Sequence, residues 1–435
     1  MKPGFSLWLD GMRAAAALIV LFGHFAHTRF TRGDYYFLRE INIASDAVIV
    51  FFVLSGVVIA YAAERDGTLQ RFAFNRLTRV LTVVLPALVL TLVFDALGTN
   101  ANMAAYPADY YEPHPVREML WRGLTFTNEW QGALSDRLRL GTNGPMWSLS
   151  YEVAFYAIFA VVLFLRGALR IVLLALIALL VGLPILALLP AWLLGVRVWV
   201  LVRNAGPMPR QRAWMLAAGS IAMLVFFRAA GLPEMLTNMT INALAPFSHH
   251  ALLGYSDEVL WNTIIAIFIA LHLVGVQNLM ETGAARPEGA VARAIRWVAG
   301  GSFSLYVMHY PTLHLLDATL PETLFLYDLW LLGLTLFVGF GSSDLADKNI
   351  AVLGLTFKPE TDDMRDSPSL AILPALVDKG ANVKAHDPEG VEEAQSLLPD
   401  SIEYCSTIDD AIKDADAIVL MTEWNQYRGL DLSHV

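Results

Sequence analysis

Apolar residues dominate the first 341 positions in runs of about 20, the length that crosses the hydrocarbon core of a bilayer. The pattern predicts helices near 11–30, 44–64, 79–98, 146–165, 171–188, 189–203, 213–230, 258–277, 299–318 and 322–341. The fifth and sixth share one apolar stretch divided at Leu189 and Pro190, and the tenth has no clear end signal. Beyond it the period changes. β-branched and apolar runs at 349–357, 382–386 and 416–421 predict strands, and 367–379, 390–397 and 408–414 predict helices. Strands alternating with helices imply a parallel-sheet α/β unit. The chain therefore divides into an α-helical polytopic membrane domain of about ten transmembrane helices (1–341), a junction (342–347) and a soluble C-terminal α/β domain (348–435).

Composition points the same way, since 56% hydrophobic and 16% charged residues are too apolar for a soluble chain of 435 residues. Charge is distributed unevenly: 344–435 hold 7 Lys and Arg against 19 Asp and Glu, whereas 1–343 hold 23 against 21. Basic residues collect in alternate connections, as Arg65, Arg71, Arg76 and Arg79, then Arg166 and Arg170, then Arg203, Arg210 and Arg212, then Arg286, Arg293 and Arg296. Cytoplasmic loops carry such an excess. Ten helices with a cytoplasmic amino terminus put all four groups on one side of a cell inner membrane, with the acidic tail beside them. The opposite side receives 99–145, rich in Tyr, Trp and Asn and suited to a glycan or another polar acceptor. The first helix resembles a signal peptide but carries His24 and His27 and lacks a small-residue cleavage site, so it is read as retained. No basic stripe marks a nucleic-acid partner. The single Cys405 excludes an internal disulfide and a Cys-based cluster, and no metal site is predicted.

Ionisable groups inside a spanning helix are expensive and default to a functional reading. Arg13 and His24, eleven residues apart, share one helix face about 16 Å apart; the plain alternatives are an arginine snorkelling to the interface and a polar contact between helices. His27 reads as interfacial. Arg76 and Arg79 open the third helix one turn apart, as a phosphate clamp or simply as topology signals. Glu152 lies near the start of the apolar fourth helix and needs a partner, for which His24 is plausible. In the ninth helix Ser302, Ser304, Tyr306 and His309 precede Pro311; polar side chains gluing helices together are the alternative.

These residues sit in motifs that resemble one family. LDGMRAAAALIVLFGHF resembles the opening of the acyltransferase 3 family, FFVLSGVVIAY its second helix, and FNRLTRVLTVVLP its Arg-x-x-Arg segment. GPMWSLSYEVAFY is similar to its Trp-Ser-Leu-Ser-x-Glu segment and SFSLYVMHYP to its late Ser-x-Tyr-x-x-His-x-Pro segment. The resemblance implies transfer of an acyl group, commonly acetyl, from acyl-coenzyme A as donor substrate, with no permanently bound cofactor, to a hydroxyl on a glycan or lipid. It further implies that Arg76 and Arg79 hold the donor and that His24 acts as base or acyl relay. Glu152 would then orient or charge the imidazole, and Tyr306 and His309 would complete the pocket and serve the oxyanion, with Arg13 a further candidate catalytic residue. One departure is that the chain turns at Gly341 into unrelated sequence.

That sequence, KNIAVLGLTFKPETDDMRDSPSLAILPALVDKGANVKAHDP with the later VLMTEWNQYRGLDL, resembles the C-terminal Rossmann-like domain of the UDP-glucose and GDP-mannose dehydrogenase family. The resemblance implies that Phe357 and Lys358 contact a sugar nucleotide and that Arg365 reaches a nicotinamide cofactor. Yet no Gly-x-Gly-x-x-Gly follows a strand, the family's Cys-Pro-Lys-Asp context is absent, and the chain stops before the family's last strand and its sugar-contacting Arg. Dehydrogenase activity is therefore not expected. Two origins stay open for the junction, a natural pairing with a nucleotide-sugar sensor and a join of two truncated reading frames. The competing functions are a membrane-anchored nucleotide-sugar-binding module and, on helix count alone, a transporter.

Overall fold

The computed structural model describes residues 1–108, 110–132, 136–204, 206, 208–280, 289–321, 323–341, 348–365, 367–378 and 380–429. They form two units, Met1–Phe340 and Gly341–Val435. The first is helical: α1 (Pro3–Phe25), α2 (Ile43–Asp66), α3 (Leu69–Ala101), α4 (Met146–Phe164), α5 (Gly167–Asn204), α6 (Arg210–Ala229), α7 (Leu232–Leu244), α8 (Val259–Leu279), α9 (Ala290–Thr319) and α10 (Tyr327–Gly341). Among the described residues seven helical segments are long and apolar enough to cross a membrane. Their outward faces agree, with Ile171 68% and Val225 63% exposed, a surface that water would penalise and lipid would not. The inward faces bury Phe5, Phe52, Phe155, Trp192 and Trp261. The first unit is a multi-pass membrane domain.

Each predicted apolar segment falls on a helix, but several boundaries move for identifiable reasons. α1 ends at Phe25 rather than 30, and His27 caps the short helix Thr28–Thr31 by accepting the Arg29 amide at 3.3 Å. α3 starts ten residues before the predicted 79, because the Thr68 hydroxyl accepts the Arg71 amide at 3.3 Å. Arg76 and Arg79 thus lie inside the helix instead of opening it. The long apolar stretch breaks at Gly182 (φ 82°, ψ 175°), not at Leu189 and Pro190, and Pro190 stays within the helix. Carbonyls released by that break are taken up from outside, the Val181 oxygen by the Gln131 amide (3.3 Å) and the Leu180 oxygen by the Gly132 amide (3.1 Å). Broken backbone at this depth survives only when such partners exist. α9 begins at Ala290, nine residues before the prediction, and α7 was not foreseen at all.

One helix crossing depends on glycine. α2 and α5 meet where a Cβ on Gly56 would stand 2.2 Å from the Trp192 carbonyl oxygen, and one on Gly195 would stand 2.0 Å from that of Val53. Small residues let backbones approach this closely, which is how helices gain dispersion contacts in an apolar solvent.

In the second unit β1 (Asn349–Leu353), β2 (Asn382–His386), β3 (Glu403–Tyr404) and β4 (Ala417–Leu420) form one parallel sheet in the order β3-β2-β1-β4. Around it lie α11 (Ser369–Asp378), α12 (Val391–Leu397) and α13 (Ile408–Ile412). β1 stops at Leu353 rather than at 357, since Gly354 turns with φ 86° and the next amides leave the ladder for Asp387. The buried Asp387 carboxylate accepts from Leu355 N (2.6 Å), Thr356 N (3.2 Å), Trp424 Nε1 (3.3 Å), Glu389 N (3.0 Å) and Gly390 N (2.8 Å), tying the strand ends together.

Gly56→Val should destroy the monodisperse peak of the detergent-extracted chain on size exclusion. Gly333→Ala, where nothing lies within 4 Å of the new Cβ, should leave the melting temperature unchanged or higher; an undisturbed Gly56→Val would contradict the crossing. Asp387→Ala strands five donors and should cost the tail unit about 3 kcal/mol or more, read as new early protease cuts within 348–429 of the full chain.

Candidate active site

Helices α1 and α9 carry their histidines to one level of the bundle. His24 Nδ1 lies 2.9 Å from His309 Nε2, and His309 Nδ1 lies 3.0 Å from the Leu305 carbonyl oxygen. A carbonyl only accepts, so in a neutral pair His309 carries its proton on Nδ1 and its Nε2 is a lone pair. That lone pair must receive the Nδ1 proton of His24. The remaining His24 nitrogen, Nε2, is left unprotonated on a partly exposed ring, whereas His309 is fully buried. The Tyr310 ring lies 4.8 Å from His24, centroid to centroid, and walls the same space.

Of the other predicted residues, Tyr306 joins this pocket: its hydroxyl is 2.7 Å from the Ser148 hydroxyl on α4, and its ring 6.1 Å from His309. Glu152 does not meet His24. Helical spacing puts Tyr156 one turn further along the same face, and its hydroxyl donates to Glu152 at 2.5 Å, while Ser55 on α2 donates to the same oxygen and takes the Trp192 indole proton at 3.2 Å. The carboxylate is thus satisfied between α2, α4 and α5. His309 cannot serve an oxyanion, because both its ring nitrogens are engaged. Arg13 bonds Asp10 (3.2 Å) and the Ala299 carbonyl (3.1 Å), and its buried Nε has no partner among the described residues. Arg76 pairs with Asp66 at 3.5 Å, and the exposed Arg79 guanidinium makes no hydrogen bond or ion pair among the described residues. The field of Arg79 is felt at both Arg13 and Arg76, so three guanidinium groups share one end of the bundle.

The opposite end is roofed by residues that sequence reading passed over. Asp95, an acid inside an apolar helix and so a visible signal, accepts the Thr142 amide (3.0 Å) and hydroxyl (2.5 Å). Asn143 donates to Thr91 (2.9 Å) and to the Val307 carbonyl (3.0 Å), fastening the 136–145 segment over α9. Arg29 reaches His314 at 3.2 Å and lies 4.3 Å from the Tyr110 ring centre, and His27 Nε2 is 2.9 Å from the Tyr110 hydroxyl. His27 is buried, and that burial, with the charges of Arg39 and Arg29, pushes its imidazole down to about 4. Nothing in the spacing of Arg29 and His314 announced their meeting. Elsewhere His249, His250 and Asp257 bring ligand atoms within 4.8 Å, but the His250 to Asp257 pair at 3.0 Å satisfies that geometry without a cation.

In the tail, Phe357 and Lys358 follow β1 at the carboxyl ends of the parallel strands, both exposed, where ligands of such sheets bind. Arg365 folds back onto Asp363 in a two-pronged pair of 2.9 Å contacts, which holds that carboxyl down at about 2.

Comparison with known proteins divides the chain at the same place. The profile of the UDP-binding domain of the UDP-glucose/GDP-mannose dehydrogenase family matches residues 351–435. Over 98 residues the chain is 46% identical to a UDP-glucose 6-dehydrogenase of Rhizobium meliloti, covering 22% of each chain. It is 43% identical over 86 residues to UDP-glucose 6-dehydrogenase YwqF of Bacillus subtilis, covering 20% of each, and 48% identical over 91 residues to that of Rickettsia bellii, again 20% of each. The chain spans about a fifth of the length of these curated relatives. The acyltransferase domain profile matches residues 6–343, most of the sequence and all of the histidine pocket, and on that ground the chain belongs to the acyltransferase 3 family.

Proposed function

We propose that this protein moves an acyl group, acetyl in the first instance, from acyl-coenzyme A to a hydroxyl of a cell-surface glycan or lipid-linked acceptor. The observation that carries the reading is the unprotonated Nε2 left on His24 by the chain of hydrogen bonds through His309 to the Leu305 carbonyl. The acceptor hydroxyl donates to that nitrogen. As its oxygen attacks the thioester carbonyl the proton passes to Nε2, and a C–O bond forms while the carbonyl becomes an oxyanion. Collapse breaks the C–S bond, and the departing thiolate takes the proton back from Nε2. Throughout, the His309 lone pair stabilises the transient imidazolium through Nδ1–H, which makes His309 a positioning residue. The Tyr306 hydroxyl, which shares a 2.7 Å hydrogen bond with that of Ser148, is the donor this reading assigns to the oxyanion. Arg76 and Arg79, with Arg13 deeper in, suit the phosphate-bearing end of the donor. Their side of an inner membrane is then the cytoplasm, which also holds both termini.

For the tail we propose sugar-nucleotide binding through Phe357 and Lys358, without hydride transfer. Its likeness to a fifth of the dehydrogenases' length supports binding and no more.

His24→Ala should lower kcat for acetyl transfer about a hundredfold or more, the usual worth of a general base, with partial recovery on added imidazole. His309→Ala should lower kcat about tenfold while the KM for acetyl-coenzyme A moves less than threefold, because it acts only through His24. Full activity in His24→Ala with the fold intact would end this reading. Arg79→Ala should raise the donor KM about tenfold, the worth of one charge-assisted contact, and leave the melting temperature unchanged, because its guanidinium makes no hydrogen bond or ion pair among the described residues; steady-state kinetics and thermal unfolding check both halves.

A further inference from the structure

After the short helix Val116–Leu124 the chain turns back into the bundle, and Phe126, Asn128 and Glu129 are 2%, 2% and 5% exposed. The backbone of this turn is well paired. The Phe126 carbonyl accepts from the Ser150 hydroxyl (2.6 Å), the Asn128 carbonyl from the Leu138 amide (2.8 Å), and Gln131 and Gly132 donate to the broken turn at Gly182. Two of its side chains are not. Among the described residues Glu129 Oε2 and Asn128 Oδ1 are buried with no hydrogen-bond partner, and Glu129 Oε1 has only a long 3.5 Å contact from the Asn128 amide. An unpaired carboxylate oxygen in so dry a place is costly and calls for a ligand.

The surrounding charge restricts that ligand. Arg122, Arg137 and Arg139 lie within electrostatic reach of Glu129. They also donate to carbonyls, Arg122 to Thr127 (3.0 Å), Arg137 to His250 (3.5 Å) and Arg139 to Tyr110 (3.0 Å). Three guanidinium groups oppose a cation, and the carboxylate opposes an anion. A neutral hydrogen-bond donor meets neither objection. Aromatic rings lie within electrostatic reach of Glu129: Tyr151 and Tyr255 both feel its charge, and Trp147 stacks on Tyr255 at 4.5 Å and 13°. Trp147 immediately precedes Ser148, which holds Tyr306. Aromatic faces for the C–H side of a ring, together with unpaired acceptors for its hydroxyls, are what a sugar requires.

We propose that Glu129, aided by Asn128, binds a neutral sugar ring of the acceptor, its unpaired carboxylate oxygen accepting a hydrogen bond from a ring hydroxyl. The inference rests on the acyltransferase reading of the adjoining pocket. It is tested on the full chain in detergent with radiolabelled acetyl-coenzyme A and methyl β-D-glucopyranoside as soluble acceptor. Glu129→Leu should raise the half-saturating glucoside concentration about tenfold or more, the loss of one hydrogen bond to a charged group, with kcat moving less than about threefold. Its melting temperature should hold or rise, because an orphaned buried carboxyl has been removed. Unchanged glucoside saturation, or a fallen melting temperature with kcat lost, overturns the inference, as does wild-type labelling of membrane glycans with no use of the glucoside. Failure of the wild type to turn over acetyl-coenzyme A at all removes the acyltransferase reading, and this inference with it.

Discussion

A hydrogen bond between two imidazoles, 285 residues apart in sequence, organises the membrane domain's chemistry. Neither ring alone specifies which nitrogen holds a proton. The Leu305 carbonyl does, since it can only accept, and the constraint passes through His309 to His24. For the bond to exist α1 must lie against α9, and the apolar contacts of Ala17, Leu21 and Phe25 with Leu305, Tyr310 and Leu313 hold it there. In surroundings with little water such a chain of bonds is strengthened rather than competed away.

The rest of the bundle builds two ends for this centre. At one, Arg13, Arg76 and Arg79 leave guanidinium capacity unspent among the described residues. At the other, the segment between α3 and α4 is fastened by Asp95, Thr91 and Asn143 and fills the gap in α5 at Gly182 with its own amides. The break and the inturned segment are therefore one feature: without Gln131 and Gly132 the carbonyls of Leu180 and Val181 would be stranded, and without the break the segment would have nowhere to dock. Glu129 is carried inward by that arrangement.

Much of this was legible because a bilayer imposes a simple pattern. Runs of apolar residues located the helices, and polar residues within them, Arg13, His24, Tyr306 and His309, stood out against it. Periodicity says which residues share a face of one helix, however, and nothing about which helices are neighbours. Periodicity alone therefore leaves His24 a plausible partner for Glu152, although Ser55 and Tyr156 take it. Capping decided where α3 begins, and the Thr68 signal was overshadowed by the charges that follow it. The position of the α5 break depended on partners 50 residues upstream, so Pro190, the stronger local breaker, misled. In the tail the alternation of strands and helices was plain, but β3 has only two residues and carries too little pattern to be seen.

The most direct test of the central claim is the tautomer of His24, read by nitrogen NMR of the full chain carrying ring-labelled histidine, with the resonance assigned by its disappearance in His24→Gln. The account predicts a protonated Nδ1 and a bare Nε2 on His24, and an Nδ1–H tautomer on His309 as well. A His24 ring protonated on Nε2 would contradict it, because no lone pair would then face the acceptor hydroxyl.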